Sequence, residues 1–147
     1  MSEPAVFVVN VQVAVKCNDH LLVIGRSRDE AHAGGVLDIP GGKVDTLEIG
    51  PAVLEAVARR EVLEETGVPV EVDLRYVCSA SFQTTDGYSV INVVFGAVSD
   101  ALLPTKPQQS EVAFATWLPI REVLCHLDLP SWTAAYIRQA FPEIEVE

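Results

Sequence analysis

Basic residues are scarce in this chain. Ten lysines and arginines stand against 21 aspartates and glutamates, a formal net charge of −11 at pH 7. A chain this acidic repels nucleic acid and anionic membranes over long range, so a polynucleotide-binding role is disfavoured and no membrane partner is expected. Cysteine is scarce too. Cys17, Cys78 and Cys125 are odd in number, far apart and form no C-x-x-C pair, so neither a disulfide framework nor a structural zinc site is expected. They are read as reduced and partly buried, and the apolar sequence around Cys78 and Cys125 disfavours a catalytic thiol. His20, His32 and His126 are scattered. Of these, His32 in the loop before the glycine-rich segment is the one to watch. No apolar run approaches the ~18 residues of a membrane span, and Met1-Ser2-Glu3-Pro4 lacks the basic flank of a signal peptide. A cytoplasmic protein is the expectation. There is no repeat and no low-complexity linker, and 147 residues with 49% hydrophobic content suit one domain over residues 1–147 with a sizeable core.

What the sequence does contain is concentrated between residues 40 and 68. Pro40, Gly41, Gly42 and Lys43 form a glycine-rich segment, and Glu61, Glu64 and Glu65 follow at helical spacing before Gly67. Carboxylates at i, i+3 and i+4 share a helical face, and three that close repel one another unless a cation sits among them. With Leu54 at zero and about 100° per residue, Val57 falls near 300°, Glu61 near 340°, Glu65 near 20° and Glu64 near 280°. The glutamates therefore border the apolar stripe, while Glu55, Ala56, Arg59 and Leu63 occupy the wetter half. A solvated charged face, the ordinary reading of a glutamate-rich helix, fits this poorly. An all-oxygen set suits Mg²⁺ or Mn²⁺ better than zinc.

Val9, Val11, Val13 and Val15 alternate with Asn10, Gln12 and Ala14, the period of a half-buried strand. Asn18-Asp19 makes a turn, Leu21 to Gly25 a second strand, Arg26 to Gly35 a polar loop, and Val36 to Ile39 a short strand entering the glycine-rich loop. Pro51 suits a first helical turn, with a helix from Ala52 to Thr66. Val70 to Phe82 and Tyr88 to Val98 flank Thr85-Asp86-Gly87 as a hairpin. An exposed Pro104 to Ser110 loop precedes a strand from Val112 to Trp117. Trp132, Tyr136 and Ala140 mark the packing face of a last helix. This order predicts a mixed sheet with helices packed on it, in the α/β or α+β class.

Arg60, Glu61, Val62, Leu63, Glu64, Glu65, Thr66, Gly67 and Val68 match every fixed position in the right half of G-x5-E-x7-R-E-U-x-E-E-x-G-U, with U aliphatic, and Pro40 to Asp45 with Glu48 match its left half. The segment resembles the signature of the Nudix hydrolases. It departs from it once: eleven residues, Ile49 to Arg59, separate Glu48 from Arg60 where the pattern has seven. Counting back from Arg60 instead puts Ala52 where the first glutamate should stand.

The resemblance implies an α/β/α sandwich around a mixed central sheet. It also implies that Glu64 and Glu65, with Glu61 and the Gly41 carbonyl, coordinate Mg²⁺, that Arg60 orients the carboxylates, and that Glu61, Glu64 or Glu111 serves as general base. Arg26, Arg28 and Lys43 are the local cations available to substrate phosphates, with solubility as their plainer role. Phe82, Tyr88 and Asn92 are candidates for contacting a base, against ordinary strand packing. Relatives acting on ADP-ribose often carry a proline downstream of the motif, and those acting on dinucleoside polyphosphates a tyrosine; here that region reads Phe82 to Asp86, with neither. The expected activity is Mg²⁺-dependent hydrolysis of a phosphoanhydride in a nucleoside diphosphate linked to a group X, with nucleoside triphosphates, modified or not, favoured. A catalytically silent nucleotide-sensing domain is the alternative, and a plain acidic interaction module a third. Dimers are common in the family, so a homodimer is possible.

Overall fold

The computed structural model describes residues 3–28 and 35–144. His32 therefore lies outside the described residues. Among the described residues seven strands form one sheet: β1 (Val8–Cys17), β2 (His20–Arg26), β3 (Leu37–Asp38), β4 (Gly41–Lys43), β5 (Arg75–Gln83), β6 (Ser89–Val98) and β7 (Val112–Pro119). The central path runs β3-β2-β1-β6-β5, with β4 on β1 and β7 on β2. Among the described residues only β1 and β6 pair in parallel, from Val8 opposite Val90 to Lys16 opposite Val98, so the sheet is mixed. Among the described residues no helix is long and apolar enough to cross a membrane.

The alternation in β1 sorts its side chains between two cores. Val11, Val13 and Val15 pack with Val57, Ala58 and Val62 of helix α1 (Val53–Thr66). Ala14 faces the other way, with Leu21, Val23, Ile120 and Ile137 under helices α2 (Ile120–Leu124) and α3 (Ser131–Ala140). Helices thus cover both faces, as the resemblance implied.

The expectation of a half-buried strand fails for the same reason. Gln12 is buried on the second face, and its polar atoms are satisfied by neighbours rather than by water. Its Nε2 donates to Asp38 Oδ1 at 3.1 Å, and its Oε1 accepts from Asn92 Nδ2 at 2.9 Å. Thr133 Oγ1 of α3 donates to the same Asp38 oxygen at 2.9 Å, and Asn10 Nδ2 to Asn92 Oδ1 at 2.8 Å. Buried polar groups must be paired in this way, and here the pairing pins α3 to β1, β3 and β6. Burial raises the Asp38 carboxyl above its ordinary range.

Other boundaries also differ from expectation. The glycine-rich segment is not a free loop, because Gly41, Gly42 and Lys43 pair with Gln12, Val11 and Asn10 as β4. Gly41 is required there: a Cβ would lie 2.0 Å from Val11 O and 2.7 Å from Gln12 Cα, both backbone atoms. Gly41→Ala is expected to lower unfolding stability by about 3 kcal/mol, read as a reduced urea midpoint at unchanged slope. Residues 70–74 are outside β5, and Arg59 holds that segment to the helix by donating to Val70 O at 2.5 Å and Val72 O at 2.9 Å. Pro51 precedes α1, and Ala52 caps it in the left-handed region at φ 53°. In α3 the packing face is Thr133, Ala134, Tyr136, Ile137 and Ala140, while Trp132 is 61% exposed. The bulky indole made the stripe look one position earlier than it is. Of the three cysteines, all free, Cys17 is buried, Cys78 half-buried and Cys125 exposed, the last against expectation.

Candidate active site

Helix α1 presents its glutamates where the wheel put them. Glu61 and Glu65 are buried at 7% and 2% exposure alongside Val57, Ala58 and Val62, while Leu63 faces solvent. Gly67 ends the helix in the left-handed region, its N–H donating to Leu63 O.

Arg60 is the hub. Its Nη2 donates to Glu48 Oε1 at 2.7 Å and its Nε to Glu48 Oε2 at 3.1 Å, a two-pronged pair. Its Nη1 donates to Glu61 Oε1 at 2.7 Å and Glu64 Oε2 at 3.1 Å. The Glu48 pairing holds the guanidinium protonated beyond its already high range, and the same bond lowers the Glu48 carboxyl. Despite the longer spacing, then, Glu48 does reach Arg60. The added residues are absorbed outward: Leu47 and Ile49 are 87% and 88% exposed, and Gly50 and Ala52 take positive φ. Asp45 and Glu48 close the turn on themselves, Asp45 N–H donating to Glu48 Oε1 at 2.9 Å and Glu48 N–H to Asp45 O at 2.9 Å.

Glu65 is bound differently. Its Oε1 accepts the Gly41 N–H at 2.8 Å. Burial pushes its carboxyl up to about 7, with the Gly41 N–H and the charge of Arg26 acting against that and the charges of Glu61 and Glu111 adding to it. Burial also raises Glu61, against the pull of Arg60. The backbone of β4 comes up against these acids, since a Cβ on Gly42 would lie 2.3 Å from the Glu61 carboxylate. Two buried carboxylates that ionise reluctantly, a third at their side and a stretch of backbone without a Cβ are hard oxygen donors, the chemistry that Mg²⁺ or Mn²⁺ prefers. Among the described residues no group of three or more His, Cys, Asp or Glu side chains is arranged so that it could hold a metal ion. Glu61 and Glu64 are turned to Arg60, and Glu65 to Gly41.

The remaining candidates divide. Arg26, at the end of β2, acts electrostatically on both Glu65 and Asp38. It also lines a cavity of about 360 Å³ with Arg28, Leu37, Phe114, His126 and Asp128. Lys43 meets Arg60 through its carbonyl, which accepts from Nη2 at 3.4 Å, and its side chain is exposed. Glu111 precedes β7, its carbonyl accepting from Ser27 N–H at 2.8 Å and its charge felt at Glu65. Phe82 and Tyr88 are exposed, and Asn92 is occupied by Asn10 and Gln12.

Two residues escaped the sequence reading. Phe114 stands opposite Gly25, and its ring covers that glycine so closely that a Cβ there would lie 2.1 Å from it. Alternation in β7 could have singled out Phe114, but not its partner across the sheet. Gln109 donates from Nε2 to Glu64 Oε2 at 2.7 Å, and nothing in the polar Pro104 to Ser110 run marks it.

The chain matches the family described as NUDIX domain over residues 5–140. It belongs to that family and is by class a hydrolase. The fold is shared with the NUDIX domain of Shewanella oneidensis NrtR complexed with ADP ribose, at 20% identity and a TM-score of 0.80 over 96% of this chain and 90% of that one. It is also shared with the MutT protein from Methanosarcina mazei Go1, at 23% identity and 0.76 over 97% and 98%. The MutT NUDIX hydrolase from Burkholderia pseudomallei gives 23% identity and 0.72 over 92% and 98%. Comparison with curated proteins gives no significant match.

Proposed function

We propose that the protein is a Mg²⁺-dependent pyrophosphohydrolase acting on a nucleoside diphosphate linked to a group X, with nucleoside triphosphates as the favoured members of that class. The observation that carries this is the meeting of Glu61 and Glu65, both buried, with the Cβ-free backbone of Gly41 and Gly42. Glu61, Glu64, Glu65 and the Gly41 carbonyl are the proposed ligands. A bound Mg²⁺ neutralises phosphate charge and lowers the pKa of a water.

The chain's own residues do the rest. Arg60, locked by Glu48, keeps Glu61 and Glu64 at fixed angles, so ligand geometry does not have to be reorganised at each turnover. Arg26, whose charge is felt at Glu65, lines the cavity, where it can take a substrate phosphate, and Arg28 lines the same cavity. Phe114 offers a flat aromatic face to the nucleoside. Glu111 is the proposed general base from the loop before β7, with Glu61 and Glu64 as the alternatives. Phe114→Ala is expected to raise KM about tenfold with kcat little changed, the pattern of lost uniform binding.

ADP-ribose is itself a nucleoside diphosphate linked to X, and it is the ligand of the NrtR domain. It therefore joins nucleoside triphosphates in the decisive experiment, a screen of nucleotides and conjugates for phosphate or pyrophosphate release with Mg²⁺ and with EDTA. Turnover in Mg²⁺ alone supports the proposal. Nucleotide binding without turnover would instead favour a sensing domain.

A further inference from the structure

The segment between β6 and β7 docks on the last turn of α1. Lys106 N–H donates to Thr66 O at 2.7 Å and Gln108 N–H to Glu64 O at 2.9 Å. These are carbonyls that a helix end leaves without an intrahelical partner. Gly67 admits the approach, since a Cβ there would lie 2.6 Å from Lys106 O. Thr105 Oγ1 adds a bond to Ala115 O at 2.7 Å. The course of this loop is thus fixed largely by its backbone, and the Gln109 side chain is not needed to hold it.

That side chain nevertheless donates to Glu64 Oε2 at 2.7 Å, the oxygen that also takes Arg60 Nη1 at 3.1 Å. Both donors fall on one oxygen, so the carboxylate is gripped by one edge. Its Oε1 accepts from no described residue. An amide is suited to this task, because it orients a carboxylate without cancelling its charge as a second arginine would.

We infer that Gln109 is a positioning residue for the divalent-cation site. It fixes Glu64 Oε2 and leaves Oε1 for the ion. Gln109 stands two residues from Glu111, so the loop that carries the proposed base is the one that reaches the metal-binding helix. This rests on the assignment of Glu64 as a ligand made above.

The test is Mn²⁺ binding by isothermal titration calorimetry to the wild type, Gln109→Ala, Glu64→Gln and the double variant, with thermal denaturation of each in EDTA. Gln109→Ala is expected to raise the Mn²⁺ Kd about tenfold while its Tm in EDTA stays within about 2 °C of wild type. In the double variant the Kd should match that of Glu64→Gln alone, since the amide acts only through that carboxylate. An unchanged or lower Kd in Gln109→Ala, whatever its Tm, overturns the inference, and so does a full further tenfold loss in the double variant. In both cases a weakened Glu64→Gln leaves the ligand assignment standing. Unaltered binding in Glu64→Gln overturns both.

Discussion

Glu64→Gln is expected to lower kcat on the order of 10³-fold or more, about 4 kcal/mol of transition-state stabilisation, with no loss of fold. The fold should survive because Glu64 contributes little to the core. Its side chain is 35% exposed, and the helix is held by Val57, Ala58 and Val62. An amide of the same shape can still accept from Arg60 or Gln109. It cannot supply the charge that a hard cation requires from an oxygen ligand. Circular dichroism and Tm measured beside the activity separate the two effects, and full activity in this variant would sink the metal-site assignment.

The second large effect is on stability and needs no substrate. In the folded chain Glu65 is pushed up to about 7 by burial, against an ordinary 4.5. The folded protein therefore binds this proton more tightly than the unfolded chain. Its stabilising contribution is fully present below about pH 4.5 and is lost as pH rises through 7, an effect of about 3 kcal/mol across the window. Glu61 and Asp38 are raised by burial as well and act in the same direction. Glu48 is lowered by Arg60, so its contribution is lost only as pH falls below the ordinary carboxyl range. Thermal denaturation in EDTA should show Tm falling between pH 5 and pH 8, and Glu65→Gln should flatten that slope and raise Tm at pH 8. Adding Mg²⁺ at pH 8 should recover the wild-type loss through preferential binding to the folded state. A Tm in EDTA indifferent to pH, or the same slope in Glu65→Gln, would refute the account.

How much was legible beforehand depends on the range over which each residue's environment is decided. The helix from Glu61 to Glu65 was readable because a 3.6-residue period is local, and the same period that made the helix assigned Glu61 and Glu65 to its inner side. The alternating valines of β1 were readable for a similar reason. That its other side is also covered was not, because Asp38 and Asn92, which satisfy Gln12, stand 26 and 80 positions away in partnerships that no period encodes. Strand β4 was hidden because two adjacent glycines argue for a loop, whereas here they permit close passage beside Val11 and Gln12. The Phe114 and Gly25 pair, and the Gln109 to Glu64 bond, likewise join segments whose proximity is a product of the sheet order.

The outward excursion at Leu47 to Ala52 bears on how such motifs should be searched for. Glu48 and Arg60 behave as two ends of a tether, and the intervening chain only has to return to the same point. Gly50 and Ala52 let it do so by adopting positive φ, without disturbing the bond that closes it. A search pattern written as a fixed count of residues measures the length of the path, while the chemistry constrains only where its ends meet. By the same logic, the tip of this excursion is a place where further residues could be inserted, or a label attached, at no cost to the acids beneath it.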